Sequence, residues 1–252
     1  MKLSILSIAL FIFFLQGCKL SPTVDPNLIN EDTVTNPSPT IDETQFDIQI
    51  TNLTFNQKFS KSSFIFHKNI LIKEWTLSKA IKSSLEELCE TGNSQKWINN
   101  ANINGNVYQT FIGLETNSHS KSNVSTFIIK SKEDIYFTWA NMLVNTNDGM
   151  TGATHIQIDS LNVGETKTFD ANAFDCGTEF NSETPSTMSG PHGDQSTLAK
   201  AVSPTNSNDE IFLSIHRGVI TSSDGLANSV LDQSHKFNNP VAQITIKRLK
   251  QS

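Results

Sequence analysis

The chain has 252 residues and a formal net charge of -6 at pH 7, and its Lys and Arg residues form no cluster. A nucleic-acid-binding surface needs such clusters to follow the phosphates, so the composition argues against a nucleic-acid partner. Once a leader and a linker are set aside, roughly two hundred residues remain, which is enough for one domain with a substantial core.

The N-terminus has the pattern of a lipoprotein signal peptide. Lys2 precedes an almost wholly apolar run, Leu3 to Leu15, which is shorter than the ~20 residues of a membrane span. The run ends in Leu-Gln-Gly-Cys, which resembles the lipobox of bacterial lipoproteins and predicts a signal peptide over residues 1–17. Cys18 would then become the first mature residue and carry the lipid that anchors the protein to a membrane. The alternative is an ordinary signal peptide with an incidental cysteine.

The segment after the predicted anchor reads as a tether. Residues 19–44 contain four prolines, several acids and no aromatic residue, a composition that cannot bury much surface. We therefore predict a disordered tether over residues 18–45 and a folded domain over residues 46–252. Lys19 stands where an Asp would retain the protein at the inner membrane in enterobacterial sorting, and by that analogy the expected location is the outer membrane of a bacterial cell envelope.

The body of the chain predicts an all-β fold. Phe46, Ile48 and Ile50 alternate with polar residues as in a half-buried strand, and Leu53 and Phe55 are out of phase, which predicts a bulge near Thr51-Asn52. Further strands are expected at Phe64–Phe66, Val107–Leu114, Val124–Lys130, Ile135–Val144, His155–Ile158, Thr166–Phe169, Ile211–Ile215 and Val241–Leu249. Many short strands separated by turns predict an antiparallel β-sandwich.

Two segments of the body depart from this strand pattern. Leu77, Ile81, Leu85 and Leu88 recur at helical spacing and Gly92 can end a helix, so one short helix is predicted over Leu77–Glu90. The polar stretch from Asn181 to Asp209 contains three prolines and predicts a long surface excursion.

Acidic residues follow two of the strand-like segments, each beside a glycine. Asp148 lies in Asn147-Asp148-Gly149, and Asp175 and Glu179 flank Cys-Gly-Thr. Carboxylates at strand ends are expected at the rim of a sheet. If the three converge, they repel, and a hard cation with oxygen ligands would hold them together. From the residues alone, a role in turns and caps is the simpler interpretation.

Four short motifs, in this order, resemble the spondin domain family of F-spondin, mindin and many bacterial lipoproteins. They are ITNLTFNQKFS from residue 50, TNDGMTG from residue 146, FDCGTE from residue 174 and NPVAQITIKR from residue 239. The resemblance spans roughly Phe46 to Leu249 and implies a C2-like sandwich that binds Ca²⁺ at one end. The implied calcium ligands are Asp148, Asp175 and Glu179, although animal spondins have Asp where Glu179 stands.

The resemblance also bears on function. Animal spondin domains serve cell adhesion and matrix attachment, so the expected role is a binding module for an extracellular protein or glycan, and not an enzyme. A second hypothesis is a calcium-dependent hydrolase of envelope polymers, which needs a general base beside the metal. Glu183 and Asp209 are the nearby acids that could serve. A third hypothesis is a structural envelope component without a functional metal site.

The remaining candidate residues give weaker signals. Cys89 and Cys176 could form a disulfide in an oxidising compartment, but the sequence does not decide whether they lie close enough. The six histidines show no i,i+4 pair and no H-E-x-x-H pattern, so no transition-metal site is predicted. No G-x-S-x-G motif is present. His216 and the three tryptophans are interpreted as structural.

Overall fold

This computed structural model describes residues 42–70, 73–193 and 212–251. The predicted signal peptide, Cys18 and the tether up to residue 41 lie outside these ranges, as does the second half of the polar stretch that follows the acidic motifs. Within the described ranges no helix is long and apolar enough to cross a membrane.

Two antiparallel sheets build the domain, which is an all-β sandwich as the strand pattern predicts. The four-stranded sheet has the order β4 (Ser125–Ile129), β1 (Thr44–Asn52), β10 (Ala242–Gln251), β7 (Thr166–Ala171). The six-stranded sheet has the order β3 (Val107–Ile112), β2 (Ser63–His67), β5 (Tyr136–Met142), β6 (Gly149–Gln157), β8 (Ala173–Asp175), β9 (Ser214–Ile215). The first and last strands of the domain pair with each other at the centre of the smaller sheet.

Strand β1 confirms the alternation seen in the sequence, because every second residue from Thr44 to Asn52 is buried. The bulge predicted at Thr51-Asn52 is wrong: pairing with β10 continues through Asn52, and the register shifts instead between Gln45 and Phe46. Leu53 and Phe55 are exposed because the strand has already ended there. The strand begins at Thr44, slightly before the start expected for the domain.

The core lies between the two sheets and is rich in aromatic residues. It includes Phe46, Ile48, Ile50, Phe64, Phe66, Phe127, Phe137, Trp139, Ile244 and Ile246, all of them buried. Strands β2 and β5 are buried on both faces, because helices cover the outer face of the larger sheet. This double burial explains why the sequence of β2, Phe-Ile-Phe, is apolar without interruption.

The predicted helix exists, but it is shorter than the periodicity indicates. Helix α1 covers Ser83–Thr91 and ends at Gly92, whose φ is 74°. Leu77, placed by the sequence on the buried helical face, lies before the helix and is 46% exposed. The segment before α1 exchanges backbone hydrogen bonds with Leu213, and Ser78 has a φ of 61°, so the chain cannot be helical there.

A second helix, α2 (Gln95–Asn102), was not predicted from the sequence. It docks through Trp97 and Ile98, which are buried against Leu85 and Leu88 of α1 and the outer face of the larger sheet. The Trp97 indole Nε1 donates a hydrogen bond to Glu74 Oε2 at 3.0 Å. Two adjacent apolar residues in a short polar helix leave no repeat for a periodicity argument to detect.

We expect Trp97→Phe to lower the free energy of unfolding by about 2 kcal/mol, because the buried Glu74 carboxylate loses a hydrogen bond. The matched control is Leu77→Ala, which should change stability by less than about 0.5 kcal/mol because Leu77 is exposed. Urea unfolding of both variants measures the difference. A larger loss of stability for Leu77→Ala than for Trp97→Phe would contradict this expectation and support the longer helix that the periodicity predicts.

The stretch from Asn181 was predicted to be a long surface excursion, and its described part runs along the surface but is fastened to the domain by three buried residues. Glu183 and Met188 are buried, and Gly190 packs against the backbone of Val144. The segment folds back over the loop between β5 and β6. Pro191, His192 and Gly193 form a turn. Asp209 lies outside the described residues.

Candidate metal site

Strand pairing brings the two acidic motifs together at one end of the larger sheet. Asp148 is the residue before β6, and the antiparallel register of β6 and β8 places Gly149 opposite Asp175. The Cys176 N–H then donates to the Asp148 carbonyl oxygen at 3.2 Å. Motifs that lie far apart in the sequence are therefore neighbours because each stands at the end of a paired strand.

The glycines of both motifs are required by close packing. A Cβ on Gly149 would lie 2.4 Å from Thr146 Oγ1, the atom that accepts the Gly149 N–H. Gly177 has a φ of 70°, and a Cβ there would lie 2.8 Å from the Phe212 carbonyl oxygen. Neither position tolerates a side chain without displacement of its neighbours. These glycines hold the loops that carry the acids.

Asp148 stands directly before β6, at the rim of the larger sheet as expected, but its side chain is 0% exposed. Its Oδ2 accepts hydrogen bonds from Thr178 N at 2.6 Å, Glu179 N at 2.9 Å and Thr178 Oγ1 at 3.2 Å. The loop after β8 thus covers the carboxylate with its own backbone. Among the described residues, the second oxygen, Oδ1, is buried with no hydrogen-bond partner. A buried carboxylate oxygen without a partner is costly.

The environment of Asp148 disfavours its charge. Burial, and next the nearby Asp175 carboxylate, raise the pKa of Asp148 to about 7, against the opposing hydrogen bonds from the backbone of residues 178 and 179. A cation at this position would stabilise the ionised carboxylate and so offset both effects on the pKa. The metal-free protein is therefore expected to hold this carboxyl group in its neutral form below pH 7.

The other two predicted calcium ligands, Asp175 and Glu179, differ in their burial and in their hydrogen-bond partners. Asp175 is half-buried, and its oxygens accept from Gly177 N at 2.9 Å and Asn181 Nδ2 at 2.7 Å. Glu179 is buried with its Oε2 3.5 Å from Asn147 Nδ2. Within residues 42–70, 73–193 and 212–251, no three His, Cys, Asp or Glu side chains form a group that could hold a metal. Asp148 and Asp175 are thus neighbours at this end of the larger sheet, which we call the acidic corner, and the Glu179 carboxylate lies beside Asn147.

Asn147, which precedes Asp148 in the first acidic motif, forms its contacts through its side chain. Its Oδ1 accepts from Glu183 N at 3.0 Å and its Nδ2 donates to the Thr187 carbonyl oxygen at 3.1 Å. These bonds fasten the loop that follows the second acidic motif onto the first motif. Nothing in the local pattern distinguishes this role from that of an ordinary turn asparagine.

Glu183 is also a structural residue in this corner. Its carboxylate is buried and accepts hydrogen bonds from the backbone of Ile220, the backbone of Thr221 at 2.9 Å and the hydroxyl of Ser229 at 2.6 Å. Both oxygens are engaged. Glu183 therefore anchors the segment after β9. Its position as a single acid in a polar stretch of sequence does not predict this role.

His216 directly follows β9 and also lies at this end of the larger sheet. Its ring is buried, Nδ1 accepts from Gly218 N at 3.1 Å, and Nε2 has no partner among the described residues. Burial lowers the pKa of His216, and Asp175 and Glu183 oppose that shift. The structural role expected for His216 is consistent with this placement.

The disulfide that the sequence left open is present. Cys89 in α1 and Cys176 in the site loop are joined, with an S–S distance of 2.08 Å and a Cα–Cα distance of 6.4 Å. Both cysteines are buried. Because Cys176 directly follows Asp175, the disulfide fixes the acidic corner to the helix that covers the sheet.

We expect the metal-free protein to lose stability as pH rises through the range set by Asp148. The unfolded side chain titrates near 3.8 and the folded one near 7, so between these values the folded state holds a proton that the unfolded state has released. The free energy of unfolding should fall by about 2 kcal/mol between about pH 5.5 and pH 7.5 from this group alone.

The contribution of Asp148 to this pH dependence is measured as the difference between wild type and Asp148→Asn in chelator, because groups that do not interact with Asp148 cancel in that difference. Glu133→Gln, at an exposed site outside the motifs, should keep the wild-type profile. Parallel pH profiles for wild type and Asp148→Asn would contradict the raised pKa.

The residues at this corner fit a hard cation in chemical type. They offer carboxylate oxygens, and no group in the described part of the chain forms a hydrogen bond with the buried Asp148 Oδ1 atom. A search against models of known protein families and a search of characterised proteins found no match to this chain. The spondin resemblance and the calcium site therefore stay predictions.

Proposed function

We propose that this protein is a lipid-anchored, calcium-binding member of the spondin domain family that acts as a binding or adhesion module on a bacterial cell envelope. The observation that best supports this proposal is the Asp148 carboxyl group, which is buried beside Asp175. One of its oxygens has no hydrogen-bond partner among the described residues. Ca²⁺ would supply the positive charge that these groups lack. Asp148, Asp175 and Glu179 would hold it, with carbonyl groups and water completing its six to eight oxygens.

The disulfide supports an envelope location. Disulfides persist in oxidising compartments and are rare in the cytosol, where thiols are kept reduced. The Cys89–Cys176 bond lies in the part of the chain that would be exported if the leader is a lipoprotein signal peptide. Export followed by anchoring through Cys18 gives the third cysteine a separate role as the lipid attachment site.

The state of Glu183 favours binding over hydrolysis. A hydrolase at this corner needs a general base with a free lone pair beside the metal. Glu183, one of the two acids nominated for that role, is buried, and both its oxygens accept hydrogen bonds from protein donors. A carboxylate engaged in this way is suited to holding a loop and not to moving protons. The other nominated acid, Asp209, lies outside the described residues.

The anchor is tested by metabolic labelling with radioactive palmitate in a bacterial host. Wild type should incorporate label, and Cys18→Ala should not, because the sulfur and the new amino terminus are the sites of acylation. Fractionation should place the labelled protein in the outer membrane. Equal incorporation in both proteins, or none in either, would remove the anchor from the proposal.

The binding role is tested with intact protein immobilised in calcium or in chelator and exposed to panels of matrix proteins and polysaccharides. A partner of the proposed kind is retained in calcium, released by chelator and not retained by Asp148→Asn. Turnover of esterase or glycosidase substrates would support the hydrolase instead. Calorimetry that shows no heat of calcium binding would favour the structural envelope component.

A further inference from the structure

Two histidines far apart in the sequence meet in the structure. His192 lies in the turn after the buried Met188, and His235 ends the short 3-10 helix Gln233–His235. Their Nε2 atoms are 2.9 Å apart, and their rings meet edge to face. His235 is 1% exposed, whereas His192 is at the surface. The pair therefore has one fixed ring and one that solvent reaches.

The proton of His235 can be assigned from its neighbours. Its Nδ1 is 2.9 Å from Asp232 Oδ1, and an ionised carboxylate only accepts, so Nδ1 carries the hydrogen. The Asp232 N–H also donates towards Nδ1, at 3.2 Å, a hydrogen bond that only the other tautomer could accept. Asn56 decides between the two tautomers, because its amide Nδ2 only donates and its contact is with Nε2. The lone pair of His235 is then on Nε2, which faces His192 Nε2 and, at 3.1 Å, Asn56 Nδ2.

A carboxylate behind a histidine is the arrangement that orients metal-binding imidazoles and raises their basicity. Two nitrogens that bind a tetrahedral ion at 2.0–2.1 Å are ~3.3 Å apart. The observed 2.9 Å between the Nε2 atoms needs to open by a few tenths of an ångström. The proton that His192 Nε2 holds in this hydrogen bond must move to its Nδ1 through solvent, and the ring must turn so that the Nε2 lone pair faces the ion. His192 is exposed and can move in this way. Asn56 would keep its other hydrogen bond, to Ser234 Oγ at 3.0 Å.

We propose that His192 and His235 form a binding site for a divalent transition-metal ion of the Zn²⁺ class. The Nε2 atoms are the ligands, and Asp232 is a positioning residue that acts through His235. Neutral imidazole suits Zn²⁺ and Cu²⁺, and Ca²⁺ prefers oxygen, so this site is chemically distinct from the acidic corner. Two protein ligands leave coordination positions for water or for a donor atom of a bound partner.

The site is linked to the acidic corner by hydrogen bonds. Gln57 Nε2 donates to the His235 carbonyl oxygen at 3.0 Å and to the Asn145 carbonyl oxygen at 3.3 Å. Asn145 lies in the same connection between β5 and β6 as Asp148. The proposal nevertheless stands on its own geometry and does not require calcium binding.

Thermal melting of the intact, untagged protein tests the proposal, with Zn²⁺ added in the presence of excess Ca²⁺. At tenfold excess over its dissociation constant, Zn²⁺ should raise the midpoint of wild type by about 3–6 °C. His192→Asn should show no shift, and it should melt like wild type in chelator because His192 is exposed. The matched control is His119→Asn, an exposed histidine elsewhere, which should respond like wild type.

Paramagnetic resonance of the Cu²⁺ form counts the imidazoles directly. Wild type should show coupling to two nitrogens and His192→Asn to one. Asp232→Asn should keep the two-nitrogen spectrum and bind Zn²⁺ roughly 10–100-fold more weakly, because the orienting carboxylate is lost. An equal Zn²⁺ shift in wild type and His192→Asn, no shift in wild type, or a spectrum without two nitrogens would each overturn the site and leave only a hydrogen bond between neutral rings.

Discussion

Removal of the Cys89–Cys176 disulfide should lower the free energy of unfolding by about 4–5 kcal/mol, the largest stability change we expect. The bond joins residues that are 87 apart in the chain, and loop-closure entropy predicts a loss of this size for so long a loop. For a domain of this length each kcal/mol moves the melting midpoint by about 2–4 °C, so the midpoint should fall by ~10–20 °C. Alanine at both positions avoids placing a hydroxyl group in two buried sites.

The double alanine variant and reduced wild type should unfold alike, since both lack the cross-link. The variant should not respond to reductant, and oxidised wild type should be the most stable of the three. Thiol labelling of the denatured protein before and after reduction checks that Cys89 and Cys176 are oxidised at the start. If reductant leaves the urea midpoint of wild type unchanged while both thiols become reactive, the disulfide does not stabilise the fold.

The disulfide also illustrates a feature that the sequence alone could not predict. Two cysteines in an oxidising compartment are compatible with a bond, but whether they pair depends on the distance between their backbones. That distance is 6.4 Å here because α1 packs on the outer face of the larger sheet, over the end of β8. The docking of a helix on a sheet is a tertiary fact that no local pattern encodes.

Strands with one buried face were predictable, whereas short elements and loops were not. The alternation of β1 reports one buried face directly, so its pattern was interpreted correctly. Helix α2 carries only Trp97 and Ile98 as its buried residues, and β8 is three residues long. Each of these elements is stable because of what it packs against, so propensity and period give little sign of it.

For the candidate site, the sequence singled out two acidic motifs that the structure brings together, but it did not predict their geometry. The motifs around Asp148 and Asp175 do meet, because glycines and paired strands set their loops. The complete burial of Asp148 depends on the backbone of residues 178 and 179 folding over it. The Glu179 Oε2 atom likewise lies 3.5 Å from Asn147 Nδ2. Both features arise from loop-to-loop contacts between segments about thirty residues apart.

Calcium should raise the melting midpoint of the intact protein by very roughly 5–10 °C at a hundredfold excess over its dissociation constant. Binding to the folded state alone adds ~2.7 kcal/mol by mass action, and each kcal/mol is worth about 2–4 °C here. The physical reason is the corner itself, where Asp148 is buried beside Asp175 and its charge is disfavoured. Magnesium should give a smaller shift, because a loop site does not impose the tight octahedron that it requires.

Asp148→Asn and Asp175→Asn should each abolish the calcium shift, since each removes a charged ligand from the corner. Either variant should also be slightly more stable than wild type in chelator at neutral pH, because one of two repelling carboxylates is gone. Glu179→Gln should weaken the shift and keep part of it, since an amide oxygen can still coordinate. The exposed Glu133→Gln control should respond like wild type.

The dependence of the calcium shift on pH separates this mechanism from nonspecific binding at an acidic surface. Because calcium must displace the proton that Asp148 holds below about pH 7, its affinity should rise with pH through that value. Acids with ordinary pKa values are already ionised at pH 5.5 and would give a nearly constant response above it. If wild type and Asp175→Asn melt alike with and without calcium at every pH, the corner does not bind the metal, and the structural envelope role becomes the better account of this protein.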